Sequence, residues 1–174
     1  DSLPEIRRNR DKFFIACADS AYRVLERAGI TPHLVFSLDS QAHTAKHFGL
    51  LPRGTPGNFP ILVCDAVTNP CVARDWRGEL AISFTAQYPE DGQRVVSPGC
   101  DYLEEEHLIE GKPGIVPGDL QSGGSVATSV FDLLRLMEFD KIILVGQDLA
   151  YTRREIHTPG THHTDEWLGR TTNR

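Results

Sequence analysis

The sequence lacks any apolar run approaching the roughly 18–20 residues that a membrane-spanning helix needs, and its opening, Asp1 to Lys12, is too charged for a signal peptide. No membrane span is expected, and the chain reads as cytoplasmic. It also lacks positive charge. Lys and Arg total 18 against 24 Asp and Glu, for a net charge of -6, the opposite of the balance on a duplex-binding surface, so nucleic acid is not an expected partner. That balance does not bar a small anionic ligand, because helix N-termini and backbone amides hold phosphate without net positive charge. Cysteine is scarce: Cys17, Cys64, Cys71 and Cys100 form no CxxC pair, and the first two sit inside apolar runs. They read as reduced structural thiols rather than as a disulfide framework or a zinc site. Neither a Walker A loop nor an HExxH helix is present, so P-loop and zincin chemistry are not indicated.

The 174 residues fit one domain, and 40% hydrophobic content is enough to build a core. Short apolar runs of strand length appear at 12–18, 33–38, 60–64, 80–84 and 141–145. Between them lie helix-like stretches. One carries Ala21, Val24, Leu25 and Ala28 on a single face and stops at Gly29; another covers Gln41 to Phe48. A third repeats Val126, Val130, Leu133, Leu134 and Met137 at helical offsets. From Tyr88 to Asp119 proline and glycine recur and the periodicity dissolves, with a short helix expected through Leu103 to Ile109. Strands alternating with helices predict an α/β fold, a Rossmann-like, mostly parallel sheet with helices on both faces. Ligands of such sheets lie beyond the carboxyl ends of the strands, where Ser37, Asp39, Ser40, Gln147 and Asp148 fall.

Three groups of residues carry the chemistry. Ser122-Gly123-Gly124-Ser125 opens the strongest amphipathic helix; glycine permits close backbone approach and the free amides favour an anion, while an ordinary helix N-cap needs the same residues. Asp39 with Ser40 and Gln41 offers hydrogen-bond partners for a sugar hydroxyl, a metal, or a cap for the following helix. His157, His162 and His163 lie in a polar tail, where an imidazole near neutral pKa suits a general base and a solvated loop would equally hold it.

The strings Ser122-Gly123-Gly124-Ser125 and Gly146-Gln147-Asp148-Leu149-Ala150-Tyr151 resemble the core of the motility-associated-factor (Maf) flagellin glycosyltransferases. Ala18-Asp19-Ser20-Ala21, Gly29-Ile30-Thr31-Pro32-His33 and Ser37-Leu38-Asp39 follow that family's order, so the likeness covers nearly the whole chain. It is more distantly similar to family-42 bacterial sialyltransferases and to archaeal 6-hydroxymethylpterin diphosphokinases. The family pattern begins with a strand and a Gly-x-Gly-Pro-Ser-Leu loop, of which Ser2 and Leu3 are the remnant here. Residues 1–174 are therefore expected to form a single nucleotide-sugar-binding domain, a fragment of a longer chain lacking the first strand and glycine-rich loop.

The resemblance implies inverting transfer of a nonulosonic sugar (pseudaminic, legionaminic or sialic type) from a CMP donor to serine or threonine of flagellin, without a metal or other cofactor. It implies nucleotide binding by Ser2, Ser40, Gln41, Ser122, Gly123, Gly124 and Ser125, and substrate contacts from Asp39 and Asp148. It assigns His157 as the base, with His162 as runner-up, and Tyr151 as a donor to the leaving phosphate. The diphosphokinase likeness implies instead ATP and magnesium, with Asp39 and Asp148 on the metal side. A non-catalytic nucleotide-binding or motility accessory module is the third reading.

Overall fold

A computed structural model describes residues 2–48, 59–89, 92–96, 98–102, 118–121, 123–147 and 161. The chain enters through α1 (Leu3–Arg8) and a 3-10 turn at Arg10–Lys12, then alternates: β1 (Ala16–Ala18), α2 (Asp19–Arg27), β2 (Leu34–Ser37), a 3-10 helix at Ala42–Phe48, β3 (Ile61–Asp65), α3 (Pro70–Asp75) and β4 (Leu80–Gln87). The short strands β5 (Val95–Val96) and β6 (Asp119–Gln121) follow, then α4 (Val126–Leu136).

β1, β2, β3 and β4 lie side by side in parallel, with Val35 level with Cys17 and Leu62, and Leu62 level with Leu80. The far half of β4 pairs in parallel with β6 (Phe84 with Asp119, Ala86 with Gln121) and antiparallel with β5. The expected α/β, mostly parallel sheet is what forms. Strand interiors buried on both faces need apolar residues at consecutive positions, and β2 supplies them: Leu34, Val35 and Phe36 are all buried.

Alternation of side chains along each strand separates two cores. Cys17, Val35, Leu62 and Cys64 face Tyr22 and Leu25 of α2, Phe48 of the 3-10 helix and Val72 of α3. Leu34, Phe36 and Val63 face the other way, with Val126, Val130, Leu133 and Leu134 of α4. Helices therefore cover both faces, with the connections between consecutive parallel strands on one and α4 on the other. α2 ends where Gly29 takes φ +70, the left-handed region that glycine enters without a Cβ penalty. Gly78 is needed for space: a Cβ there would lie 2.7 Å from Cβ of Phe59 and 2.8 Å from the Pro60 carbonyl.

One expected strand does not form. Lys141-Ile142-Ile143-Leu144-Val145 follows α4 as anticipated, yet it pairs with no strand among the described residues, and Ile143 and Leu144 are 69% and 63% exposed. Its apolar composition satisfies strand propensity, but no strand among the described residues supplies it a hydrogen-bonding edge. The first strand is also shorter than its apolar run, since Lys12 closes the 3-10 turn and pairing starts only at Ala16. The helix expected through Leu103 to Ile109 lies outside the described residues. Among those that are described, no helix is long and apolar enough to cross a membrane.

Candidate functional site

Because β1, β2, β3, β4 and β6 run in parallel, their carboxyl ends share one edge of the sheet. Asp19 follows β1 directly, Ser37 closes β2 ahead of Asp39, Ser40 and Gln41, and Asp65 closes β3. β6 ends at Gln121 on the same edge and leads to Gly123, Gly124 and Ser125 at the start of α4.

A hydrogen-bonded web joins these ends. The Ser37 hydroxyl donates to Asp19 Oδ2 at 2.8 Å, and the Ser20 amide donates to Asp19 Oδ1 at 2.7 Å. Thr68 Oγ1 donates to the Ser37 carbonyl at 2.7 Å, tying the turn after β3 to the end of β2. Asn69 extends the tie: its amide donates to the Asp39 carbonyl at 3.1 Å and its Nδ2 to the Ser40 carbonyl at 3.1 Å. Its Oδ1 accepts from the Cys71 amide and caps α3, a use of asparagine that satisfies one unpaired helix donor.

Burial sets the electrostatics of this edge. Asp19 is 3% exposed, and loss of hydration raises its pKa above the ordinary carboxylate value; the bonds from Ser37 and Ser20 oppose that rise, while the charge of Asp39 adds to it. The Cys64 thiol is pushed up to about 11 by burial, helped by Asp19 and Asp65. Cys17 shifts the same way, by burial first and then by Asp19. Both are free thiols held protonated at neutral pH, in keeping with the structural role expected of them.

The remaining site residues from the sequence divide into three sets. Asp39 accepts the Gln41 amide through Oδ1 at 3.0 Å, forming the local turn that starts the 3-10 helix, while its Oδ2 stands 4.0 Å from His43 Nε2. Ser40 and Gln41 are exposed beside it. At α4, Ser125 Oγ accepts the Ala127 amide at 3.2 Å, and the Gly123 amide donates to Thr128 Oγ1 at 3.0 Å. Gly124 has φ +80, and a Cβ on Gly123 would press to 3.1 Å of Thr128. The turn thus uses its glycines for conformation and close approach, and it makes a helix cap. Ser2 is apart from both sets: it is exposed ahead of α1, whose last turn brings Arg7 beside Gly29 at the end of α2. Ser122, Asp148, Tyr151, His157, His162 and His163 lie outside the described residues.

Sequence reasoning did not single out Asp65, Thr68 and Asn69, and it noted Asp19 only within the Ala18-Asp19-Ser20-Ala21 string. The available signal was an apolar run ending directly in aspartate, in Ala16-Cys17-Ala18-Asp19 and Leu62-Val63-Cys64-Asp65. Among the described residues, no group of three or more His, Cys, Asp or Glu side chains is arranged to hold a metal ion. Magnesium commonly arrives with nucleotide phosphates and needs only one or two protein carboxylates, a role that the partly exposed Asp39 fits.

No curated protein and no solved structure matches the chain. Residues 1–154 match the model of a family described as 6-hydroxymethylpterin diphosphokinase MptE-like, and with most of its length matched the chain belongs to the MptE-like family.

Proposed function

We propose that this protein is a nucleotide-dependent transferase, and that it moves a nonulosonic sugar from a CMP donor to serine or threonine of flagellin. The observation that carries the reading is the shared carboxyl edge: Asp39, Ser40 and Gln41 after β2 and the Gly123-Gly124-Ser125 turn after β6 open on the same side of a parallel sheet, where such folds bind ligands. The Maf-like strings running from Ser122 to Tyr151 support the sugar chemistry. The phosphate would meet the start of α4, with Ser122, Gly123, Gly124 and Ser125 as its partners. Asp39 and Asp148 would contact the sugar, and Tyr151 would donate to the leaving phosphate as charge develops there. His157 would take the proton from the acceptor hydroxyl.

The family match supports a second reading, in which ATP with magnesium donates a diphosphate to a pterin alcohol and Asp39 contacts the metal–nucleotide. Calorimetry with CMP and ATP in parallel, each with and without magnesium, tests the two. CMP binding indifferent to magnesium is the expected result. ATP binding that requires magnesium, with CMP inert, selects the diphosphokinase. In the glycosyltransferase reading, His157→Ala lowers flagellin glycosylation by about 10²–10⁴ and leaves CMP affinity nearly intact. Near-normal transfer by that variant, with loss in His162→Ala, moves the base to His162.

A further inference from the structure

At the carboxyl edge the hydrogen-bonding web leaves one acceptor open. Asp65 is 1% exposed at the end of β3. Its Oδ1 accepts the Val67 amide at 3.0 Å, while Oδ2 is buried and has no hydrogen-bond partner. Donors on neighbouring residues of the chain and of β4 are committed elsewhere. The Thr68 amide donates to the Asp65 carbonyl at 2.9 Å and its hydroxyl to Ser37. The Ala66 amide donates to the Ser83 carbonyl at 2.9 Å, and the hydroxyl of Ser83, level with Asp65 on β4, points its proton to the Cys64 carbonyl at 3.4 Å. A carboxylate oxygen held out of water without a donor is costly, and a ligand that brings the donor recovers that cost on binding.

We propose that Asp65 reads the ribose of the nucleotide donor, its Oδ2 accepting a hydrogen bond from a ribose hydroxyl. The inference rests on the nucleotide-dependent reading above and holds for CMP and ATP alike. Charge decides which part of the nucleotide belongs here. Asp19 and Asp65 at the ends of β1 and β3 repel phosphate, which is better placed at the start of α4. The ribose is the neutral, donor-bearing part that both nucleotides share, and a strand-end carboxylate is a suitable acceptor for its hydroxyls. Entry requires the exposed Ala66-Val67 turn to give way, since the oxygen is sealed without ligand.

Calorimetry on the whole protein with CMP, ATP and their 2′-deoxy and 3′-deoxy forms tests this, using the wild type and Asp65→Asn. The asparagine keeps an acceptor for the Val67 amide, so the turn survives. In the wild type, removal of the hydroxyl that is read weakens binding by about ten- to a hundred-fold, the usual worth of a charge-assisted hydrogen bond. In Asp65→Asn that discrimination falls to under about three-fold. Wild-type protein that binds the parent and both deoxy forms equally overturns the proposal, whether or not the variant folds. So does a variant that keeps the wild-type discrimination, the result expected if a buried water is the partner of Oδ2. Failure of both parent nucleotides to bind removes the nucleotide reading and this inference together, whereas tight parent binding without ribose discrimination removes only the inference.

Discussion

Ile61-Leu62-Val63-Cys64 and Ile142-Ile143-Leu144-Val145 are nearly the same text in two different situations. The first is the body of β3, paired with β2 on one side and β4 on the other, with Leu62 fully buried. The second leaves Ile143, Leu144 and Val145 exposed by 69%, 63% and 46%. A parallel strand needs a hydrogen-bonding neighbour and cover on its faces, and β3 has both. The 141–145 run comes off α4, where Phe139 meets Phe14 with ring centroids 5.1 Å apart, and it has no strand neighbour among the described residues. An apolar run therefore states a capacity for pairing, and the surrounding strands decide whether it is used.

Paired truncations test that difference most directly. Leu62→Ala should cost about 2–5 kcal/mol, because it removes buried methyl groups and leaves a cavity in a packed sheet. Leu144→Ala should change stability by less than about 0.5 kcal/mol, the ordinary range for an exposed position. Urea unfolding midpoints measure both. Similar losses at the two sites would mean that the 141–145 run packs in solution, and the comparison would collapse.

How far the sequence was readable follows the same division. Each of β1, β2, β3 and β4 lies within or overlaps its apolar run, and in β2 and β3 the pattern reports burial on both faces. The cap residues at α4 were visible because serine and glycine there have local reasons to be present. Asp39 was legible for its place after β2. Asp65 was not: its significance lies in a missing donor, and that depends on what Ser83 and Thr68 do from neighbouring elements. Asp19 looked like any helix-starting aspartate, and only its burial against Ser37 on β2 sets it apart. The strand expected at 141–145 failed for the reciprocal reason, since periodicity does not record whether an edge stands beside it.

Two carboxylates, Asp19 after β1 and Asp119 on β6, sharpen the contrast through pH. The pKa of Asp19 is raised, chiefly by burial. Its stabilising contribution is complete below the ordinary carboxylate value and is lost as pH rises through the higher folded value. Asp119 is the reverse: Arg94 donates to both its oxygens and Tyr88 donates to Oδ2 at 2.9 Å, so its pKa is lowered, first by the Arg94 hydrogen bonds. Its contribution is complete above the ordinary value and is lost as pH falls through the lower folded one. Relative to wild type, Asp19→Asn should therefore gain stability as pH rises through the raised window, whereas Asp119→Asn should be destabilised near neutrality and approach wild type in acid. Unfolding midpoints between about pH 3 and 7 read both slopes, and slopes of the same sign would contradict the assigned causes.

The smallest effect separates two helix caps that use the same chemistry in different surroundings. Asn69 caps α3 and also donates to the Ser40 carbonyl, so it stabilises a helix and links the ends of β2 and β3. Ser125 is exposed and caps α4 through one bond to the Ala127 amide. Loss of a cap costs about 0.5–2 kcal/mol, and Asn69→Ala should fall toward the upper end because a second bond goes with it. Asn69→Asp keeps the acceptor for the Cys71 amide but has no N–H for Ser40, so it should recover only the capping part. Ser125→Ala should sit near the lower end, and Ser125→Gly should cost only a few tenths of a kcal/mol. CMP affinity measured on the same variants then distinguishes the two uses of the α4 turn. A Ser125 that only caps leaves affinity near wild type, while a Ser125 whose hydroxyl also meets the phosphate loses binding out of proportion to its small loss of stability.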